Sequence, residues 1–225
     1  MDDEWDETIA LEGHAAGLAA LQREGLPDAE AFGRFLAERE AELFAPGAED
    51  EIDIAAVITR SFEQQGVDLT DDDVRLFLQA THDVWSSYWA VGASTHALLE
   101  ALRARGLKLA VVSNTANPEW LLRPVLDRQG IPERVDAIVL SSEVGKRKPH
   151  PAIFQRALSE VGVAPDEALF VGDRLQGDVF GASRVGMRTV QALWFRADDG
   201  AAPVEPDYQA FTQMDVLNVV DRLCS

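Results

Sequence analysis

Cysteine, lysine and long apolar runs are all scarce in this sequence, and each scarcity excludes something. Its one cysteine, Cys224, stands next to the last residue, so no disulfide forms within the chain and no cysteine metal cluster can be built. Nowhere do about eighteen apolar residues run together, the length that a membrane-spanning helix needs. The charged opening Met1-Asp2-Asp3-Glu4 does not read as a secretory signal. Bases are outnumbered 20 to 39, a net charge of −19. Such a surface repels phosphodiester backbones and anionic lipid heads, so neither nucleic acid nor membrane is an expected partner, and a cytoplasmic location is expected. Lysine occurs only at Lys108, Lys146 and Lys148, so a lysine inside a motif stands out.

What is present is globular. A hydrophobic fraction of 47% with 26% charged residues is ordinary for a folded domain. At 225 residues the chain can bury about 70% of its unfolded surface, enough for one large domain or a core with an insert. The charge is unevenly spread: residues 1–75 hold 21 acids against 5 bases, and residues 76–225 hold 18 against 15. Two parts with different surfaces are therefore expected, with a boundary near residue 90: a segment 1–90 and a segment 91–225.

The first part has helical periodicity throughout. Ile9, Leu11, Ala15, Leu18 and Leu21 fit one apolar stripe ending at Gly25, and Phe32, Phe35, Leu36 and Leu43 fit a second ahead of Pro46-Gly47. A third helix is predicted over 53–65. Thr70 caps a fourth, with Asp71, Asp72 and Asp73 in its first turn, where negative charge complements the helix dipole. After Gly92 short apolar runs alternate with helical stretches: strands at 108–113, 137–140, 168–171 and 189–193, and a last one near Tyr208. That alternation predicts an α/β fold, a Rossmann-like parallel sheet core with helices on both faces, preceded by an N-terminal all-helical segment.

Ligands of open α/β sheets bind beyond the carboxyl ends of the strands, so the polar residues there are the candidates. The first visible strand ends in Ser113-Asn114-Thr115, and the second is followed by Ser141-Ser142 and then Gly145-Lys146-Arg147-Lys148-Pro149. The third runs into Gly172-Asp173-Arg174 and reaches Asp178. Taken singly, each is an ordinary cap or turn residue. Together, hydroxyl, cation and two carboxylates at successive strand ends suit a phosphoryl group and a hard cation: Ser113 and Lys148 toward phosphoryl oxygens, Asp173 and Asp178 toward Mg²⁺.

Ser113-Asn114, Lys148-Pro149 and Gly172-Asp173 through Asp178 resemble motifs two, three and four of the haloacid dehalogenase-like hydrolase superfamily, in the subfamily whose helical cap lies between motifs one and two. The resemblance spans residues 90–195, with residues 7–90 as the cap. It implies a Mg²⁺-dependent phosphatase of a small phosphorylated metabolite, working through an aspartyl-phosphate. Ser113, Lys148 and Asp173 would be catalytic. Ser113, Asn114 and Lys148 would bind substrate, Lys148 also holding the nucleophile, while Asp173 and Asp178 would serve the metal. Two alternatives stay open: a haloacid dehalogenase, against which Gly172-Asp173 argues, and a catalytically inactive phosphate- or metal-binding protein.

Motif one, D-x-D-x-[TV] after a buried strand, has no good counterpart. Glu4-Trp5-Asp6-Glu7-Thr8 fits it only with glutamate in the nucleophile position and no strand before it. The central first strand is thus expected to be missing, and the strands ending at Ser113 and Val171 are expected either to pair directly or to leave a slot of about twice the ordinary 4.8 Å between adjacent strands. Of the aromatic and imidazole residues, Trp85, Tyr88 and Trp89 are expected to pack, and His14, His82, His96 and His150 to take no part in chemistry. Arg174 is expected to pair with a neighbouring acid.

Overall fold

The structure, a computed structural model, describes residues 7–43, 48–92, 94–194 and 203–224. The chain forms two compact units, one of Met1–Ala48 and Ile52–Ala90, the other of Glu49–Glu51 and Val91–Ser225. Among the described residues, no helix is long and apolar enough to cross a membrane.

The first unit contains helices α1 (Glu7–Ala20), α2 (Ala29–Leu43), α3 (Ile54–Gln64) and α4 (Asp71–Ser87). Their starts follow local chemistry. Asp28 accepts from the Ala31 N–H at the head of α2, Asp53 from the Ala56 N–H at the head of α3, and Thr70 and Asp73 form a reciprocal capping box on α4. The fully buried Phe32, Phe62 and Phe77 pack ring against ring, at centroid distances of 4.5 and 5.4 Å. Trp85 packs edge-on against His14 and donates its indole N–H to the Ile9 carbonyl at 3.1 Å, a packing role as expected. A side chain at Gly13 would collide with that indole, so glycine there sets how closely α1 and α4 approach.

The second unit is the α/β part. In chain order it holds α5 (Thr95–Ala104), β1 (Ala110–Ser113), α6 (Glu119–Arg128), β2 (Ala137–Leu140), α7 (Ser141–Val144), α8 (Pro151–Val161), β3 (Leu169–Gly172), a π-helical turn (Leu175–Phe180), α9 (Gly181–Ser183), β4 (Arg188–Ala192), β5 (Tyr208–Ala210) and α10 (Asp215–Leu223). All pairing between these strands is parallel: β1 with β2, and β3 with β4 with β5. One apolar layer joins β2 and α8 through Val139, Ile153, Phe154 and Ala157, with Val112 of β1 and Phe170 of β3 packed on it. A second layer, on Val190, Ala210, Val216, Val219 and Val220, ties β4 and β5 to α10. Helices cover the strands as the alternation of strand and helix predicts.

Among the described residues β1 and β3 belong to different sheets and do not pair, so direct pairing, one of the two arrangements expected for the strands ending at Ser113 and Val171, is not seen. Burial follows the same division. No residue of β1 or β3 is fully buried, whereas three of four in β2 and four of five in β4 are. In a doubly wound sheet the inner strands are normally the most enclosed. Here the two strands that carry candidate residues are the open ones, and Val171 is 36% exposed. The fit of residues 4–8 to motif one falls largely on residues 1–6, which lie outside the described residues.

Candidate active site

Three strand ends converge on Lys148. Its loop follows α7, which Gly145 terminates in the left-handed conformation at φ 75°. The Lys148–Pro149 peptide is cis, and His150 then caps α8 by accepting the Ala152 N–H on its ring nitrogen. His150 thus has a structural task.

From β1 comes Asn114, which grips the Lys148 backbone from both sides. The Lys148 N–H donates to Asn114 Oδ1 at 2.7 Å, and Asn114 Nδ2 donates to the Lys148 carbonyl at 3.1 Å. One amide N–H of Asn114 is left over for a ligand. The Lys148 side chain reaches back along the unpaired side of β1 and donates to the Val112 carbonyl, one residue before Ser113, at 3.2 Å. It also lies 5.6 Å from the centre of the Phe170 ring in β3. One ammonium therefore touches both strands that do not pair with each other.

From β3 come the carboxylates. Lys148 Nζ donates to Asp178 Oδ1 at 2.6 Å, and the Arg174 N–H donates to Asp178 Oδ2 at 3.0 Å. Asp178 is buried, so both of its oxygens are matched, as a buried charge requires. The π-helical turn makes this possible: the N–H groups of Asp178 and Val179 both bond the Arg174 carbonyl, which folds the carboxylate back over the strand end. Gly172 makes room for it. A Cβ at that position would stand 2.4 Å from Asp178 Cβ, Cγ and Oδ2. Asp173 is the next residue, half-buried at the end of β3. The Arg174 side chain is exposed, and its backbone makes the contact with acid that was expected of its guanidinium.

The structure thus brings Asn114, Lys148 and Asp178 into direct contact, and places Ser113 and Asp173 at the ends of the two strands Lys148 spans. No group of three or more acidic, histidine or cysteine side chains able to hold a metal occurs among the described residues. Mg²⁺ is commonly held by only one or two carboxylates, with waters and substrate phosphate completing its shell; at this strand end both Asp178 oxygens are engaged by Lys148 and the Arg174 N–H.

Sequence reasoning passed over two participants. Ser141, fully buried at the end of β2, accepts the Thr115 N–H at 2.7 Å and donates to the Glu51 carboxylate. Ser141 stands at a strand end and so carried the positional signal. Glu51 carried none, because it lies 90 residues upstream between two helices of the other unit.

Comparison with known proteins points one way. A family model described as haloacid dehalogenase-like hydrolase matches residues 3–186. The chain is 38% identical over 152 residues to the glyceraldehyde 3-phosphate phosphatase of Methanopyrus kandleri, a match covering 64% of this chain and 62% of that protein. It is 41% identical over 111 residues to the phosphoserine phosphatase of Thermus thermophilus, covering 49% and 42%. The chain therefore spans about half the length of these curated relatives. Among solved structures, a haloacid dehalogenase-type phosphatase from Thermococcus onnurineus superposes with a TM-score of 0.65 at 27% identity, over 95% of this chain and 91% of that one. The 2-haloacid dehalogenase of Pseudomonas syringae pv. Tomato DC3000 shares the fold, with a TM-score of 0.68 at 23% identity over 99% and 96%.

Proposed function

Since the chain belongs to the haloacid dehalogenase-like hydrolases, we propose that it is a Mg²⁺-dependent phosphatase of a small phosphorylated metabolite, working in the cytoplasm. The observation that carries this reading is Lys148, whose ammonium spans the ends of β1 and β3 and is held there by Val112 and Asp178. Relatives named as phosphatases of glyceraldehyde 3-phosphate, phosphoserine and phosphoglycolate support it.

In this mechanism the Ser113 hydroxyl and the Lys148 ammonium hold the non-bridging oxygens of the phosphoryl group. The ammonium is held before substrate arrives, by Val112 and Asp178, so little reorganisation on its part accompanies the gain of charge in the transition state. Asn114 fixes the lysine backbone and offers its remaining N–H to the same group. Asp178 keeps the lysine aimed. Asp173, with Asp178 behind it, would hold Mg²⁺, which supplies further positive charge to the phosphoryl oxygens when bound. The covalent step would need an aspartate from a D-x-D-x-[TV] segment, and no described segment has that pattern.

A chromogenic aryl phosphate tests the reading. Turnover that chelation abolishes, Mg²⁺ restores and Asp173→Ala removes supports it. Chloride release from a 2-haloacid without added metal would replace it with a dehalogenase. A folded chain that binds phosphate yet turns over neither compound would be a binding protein.

A further inference from the structure

We propose that Glu51 is a positioning residue of the phosphate site, bracing the loop that presents Ser113 and the loop that presents Lys148 from a single buried carboxylate. This rests on the reading of Ser113 and Lys148 as phosphate ligands.

The tripeptide Glu49–Glu51 belongs to the α/β unit although helices of the other unit flank it in sequence. It lies antiparallel to the lysine loop: the Glu51 N–H donates to the Gly145 carbonyl at 3.1 Å, and the Arg147 N–H to the Glu49 carbonyl at 2.9 Å. Each of its three acids meets a base. Glu49 pairs with Arg184 at 3.2 Å, Asp50 with Lys146, and Glu51 with Arg147 at 3.7 Å. These pairs also sort the basic triplet 146–148, because two of its members turn to the tripeptide and only Lys148 turns to the strand ends.

The three acids differ in burial, and that difference assigns their roles. Glu49 and Asp50 are exposed at 39% and 83%, where ion pairs contribute little. The Glu51 side chain is 3% exposed. A carboxylate so buried needs close partners, and two of them, Ser141 and Arg147, lead to the site. The Ser141 hydroxyl accepts the Thr115 N–H at 2.7 Å and has its own proton within reach of the Glu51 carboxylate and of the Thr115 carbonyl, the latter at 3.2 Å. Thr115 follows Ser113-Asn114 directly, so the relay fixes the loop at the end of β1. The same Glu51 oxygen lies 3.7 Å from Nε of Arg147, the residue before Lys148. The Asn114 clasp and the Lys148 bond to the Val112 carbonyl join the two segments beside Ser113; Glu51 adds a tie further along, through Ser141 to Thr115.

The experiment is calorimetric titration with inorganic phosphate in magnesium-containing buffer, on the whole chain. Glu51→Ala and Ser141→Ala are each expected to weaken phosphate about tenfold, the double variant no further than either single one, because one relay is being cut. Glu51→Gln keeps an acceptor for Ser141 and should recover part of the loss. Asp50→Asn removes a charge from the same tripeptide without touching the relay and should stay within about twofold of the parent. The Thr115 amide resonance should move in Glu51→Ala and Ser141→Ala and stay in place in Asp50→Asn. A folded Glu51→Ala that binds phosphate like the parent overturns the inference and leaves the phosphate site standing. If Glu51→Ala does not fold, an unaltered affinity in both Ser141→Ala and Glu51→Gln overturns it equally. A parent that binds no phosphate, or binds it equally well as Lys148→Met, overturns the underlying reading and this inference with it.

Discussion

Asn114 and Lys148 are joined by two hydrogen bonds of opposite sense, 2.7 Å from the lysine N–H to Oδ1 and 3.1 Å from Nδ2 to the lysine carbonyl. An amide is the side chain that can both donate and accept across one residue, so the clasp explains why an asparagine, not an aspartate, follows Ser113. Replacing Asn114 by alanine leaves the lysine N–H and carbonyl without these partners in a half-buried place, at a cost of about 1–3 kcal/mol. Lys148 is then free to drift, and a displacement of about 1 Å at a catalytic group can cost about a hundredfold in rate. Asn114→Asp keeps the acceptor, loses the donor and should fall between the two. Urea denaturation and aryl phosphate turnover, measured on the three proteins together, check both effects.

Lys148 and Asp178 form an enclosed ion pair, their side chains 14% and 4% exposed, at 2.6 Å. Removing one partner strands the other charge. Lys148→Met should therefore destabilise the fold by about 3 kcal/mol, while Lys148→Met with Asp178→Asn, which neutralises the stranded acid, should regain much of that loss. Phosphate affinity should be lost in both. A double variant no more stable than Lys148→Met would show that Asp178 does not depend on the lysine. Denaturant midpoints at constant slope are the measurement.

Legibility in the sequence divides along one physical line. Features governed by near neighbours could be read directly. The Thr70–Asp73 box, the apolar runs at β1, β2, β3 and β4, and the strand-end order Ser113, Lys148, Asp173 each depend on spacings of a few residues. Features governed by closure of the chain on itself could not. Glu51 reaches Ser141 across 90 residues, and nothing within either segment marks the pair. Intermediate cases had a partial signal. Gly172 was read as part of a motif, but its steric reason, an Asp178 side chain lying over its backbone, appears only once the turn at Leu175–Phe180 is seen to be π-helical. Even α1 shows the division: its apolar stripe continues past Ala20, where the helix ends, because Gln22 adopts a positive φ of 47° that periodicity does not report.

Acid should loosen both units through identifiable carboxylates. In the helical unit the Thr70 backbone N–H and hydroxyl hold the Asp73 carboxyl below the ordinary carboxylate range. In the α/β unit Asp136 is held low chiefly by the Leu109 N–H, with Lys108 and Arg103 adding to it, and so pins the residue that leads into β1. A depressed pKa stabilises the folded chain above the ordinary value of about 4, and the contribution disappears as pH falls through the folded value. The parent should thus lose melting temperature below about pH 4. Asp136→Asn should start lower at neutral pH and fall less steeply in acid. An equally steep acid limb in that variant would remove Asp136 from the account.

Gly172 gives the sharpest separation of fold from chemistry. Its strand is fixed, since Gly172 pairs in register with Gln191 of β4, so an added methyl cannot be relieved by moving β3 without breaking that ladder. The methyl would lie 2.4 Å from three atoms of Asp178, and Asp178 must move instead. Both of its hydrogen bonds, to Lys148 and to the Arg174 N–H, go with it. Overpacking of this kind costs about 1–3 kcal/mol, and a lysine without its counter-charge should cost turnover about a hundredfold or more. The two losses respond differently to a second change. Gly172→Ala combined with Asp178→Gly removes the atoms that collide, so part of the stability should return. The carboxylate that aims Lys148 is then gone altogether, so turnover should not. If activity recovered along with stability, Asp178 would be packing alone, and the lysine would be held by Val112 without it.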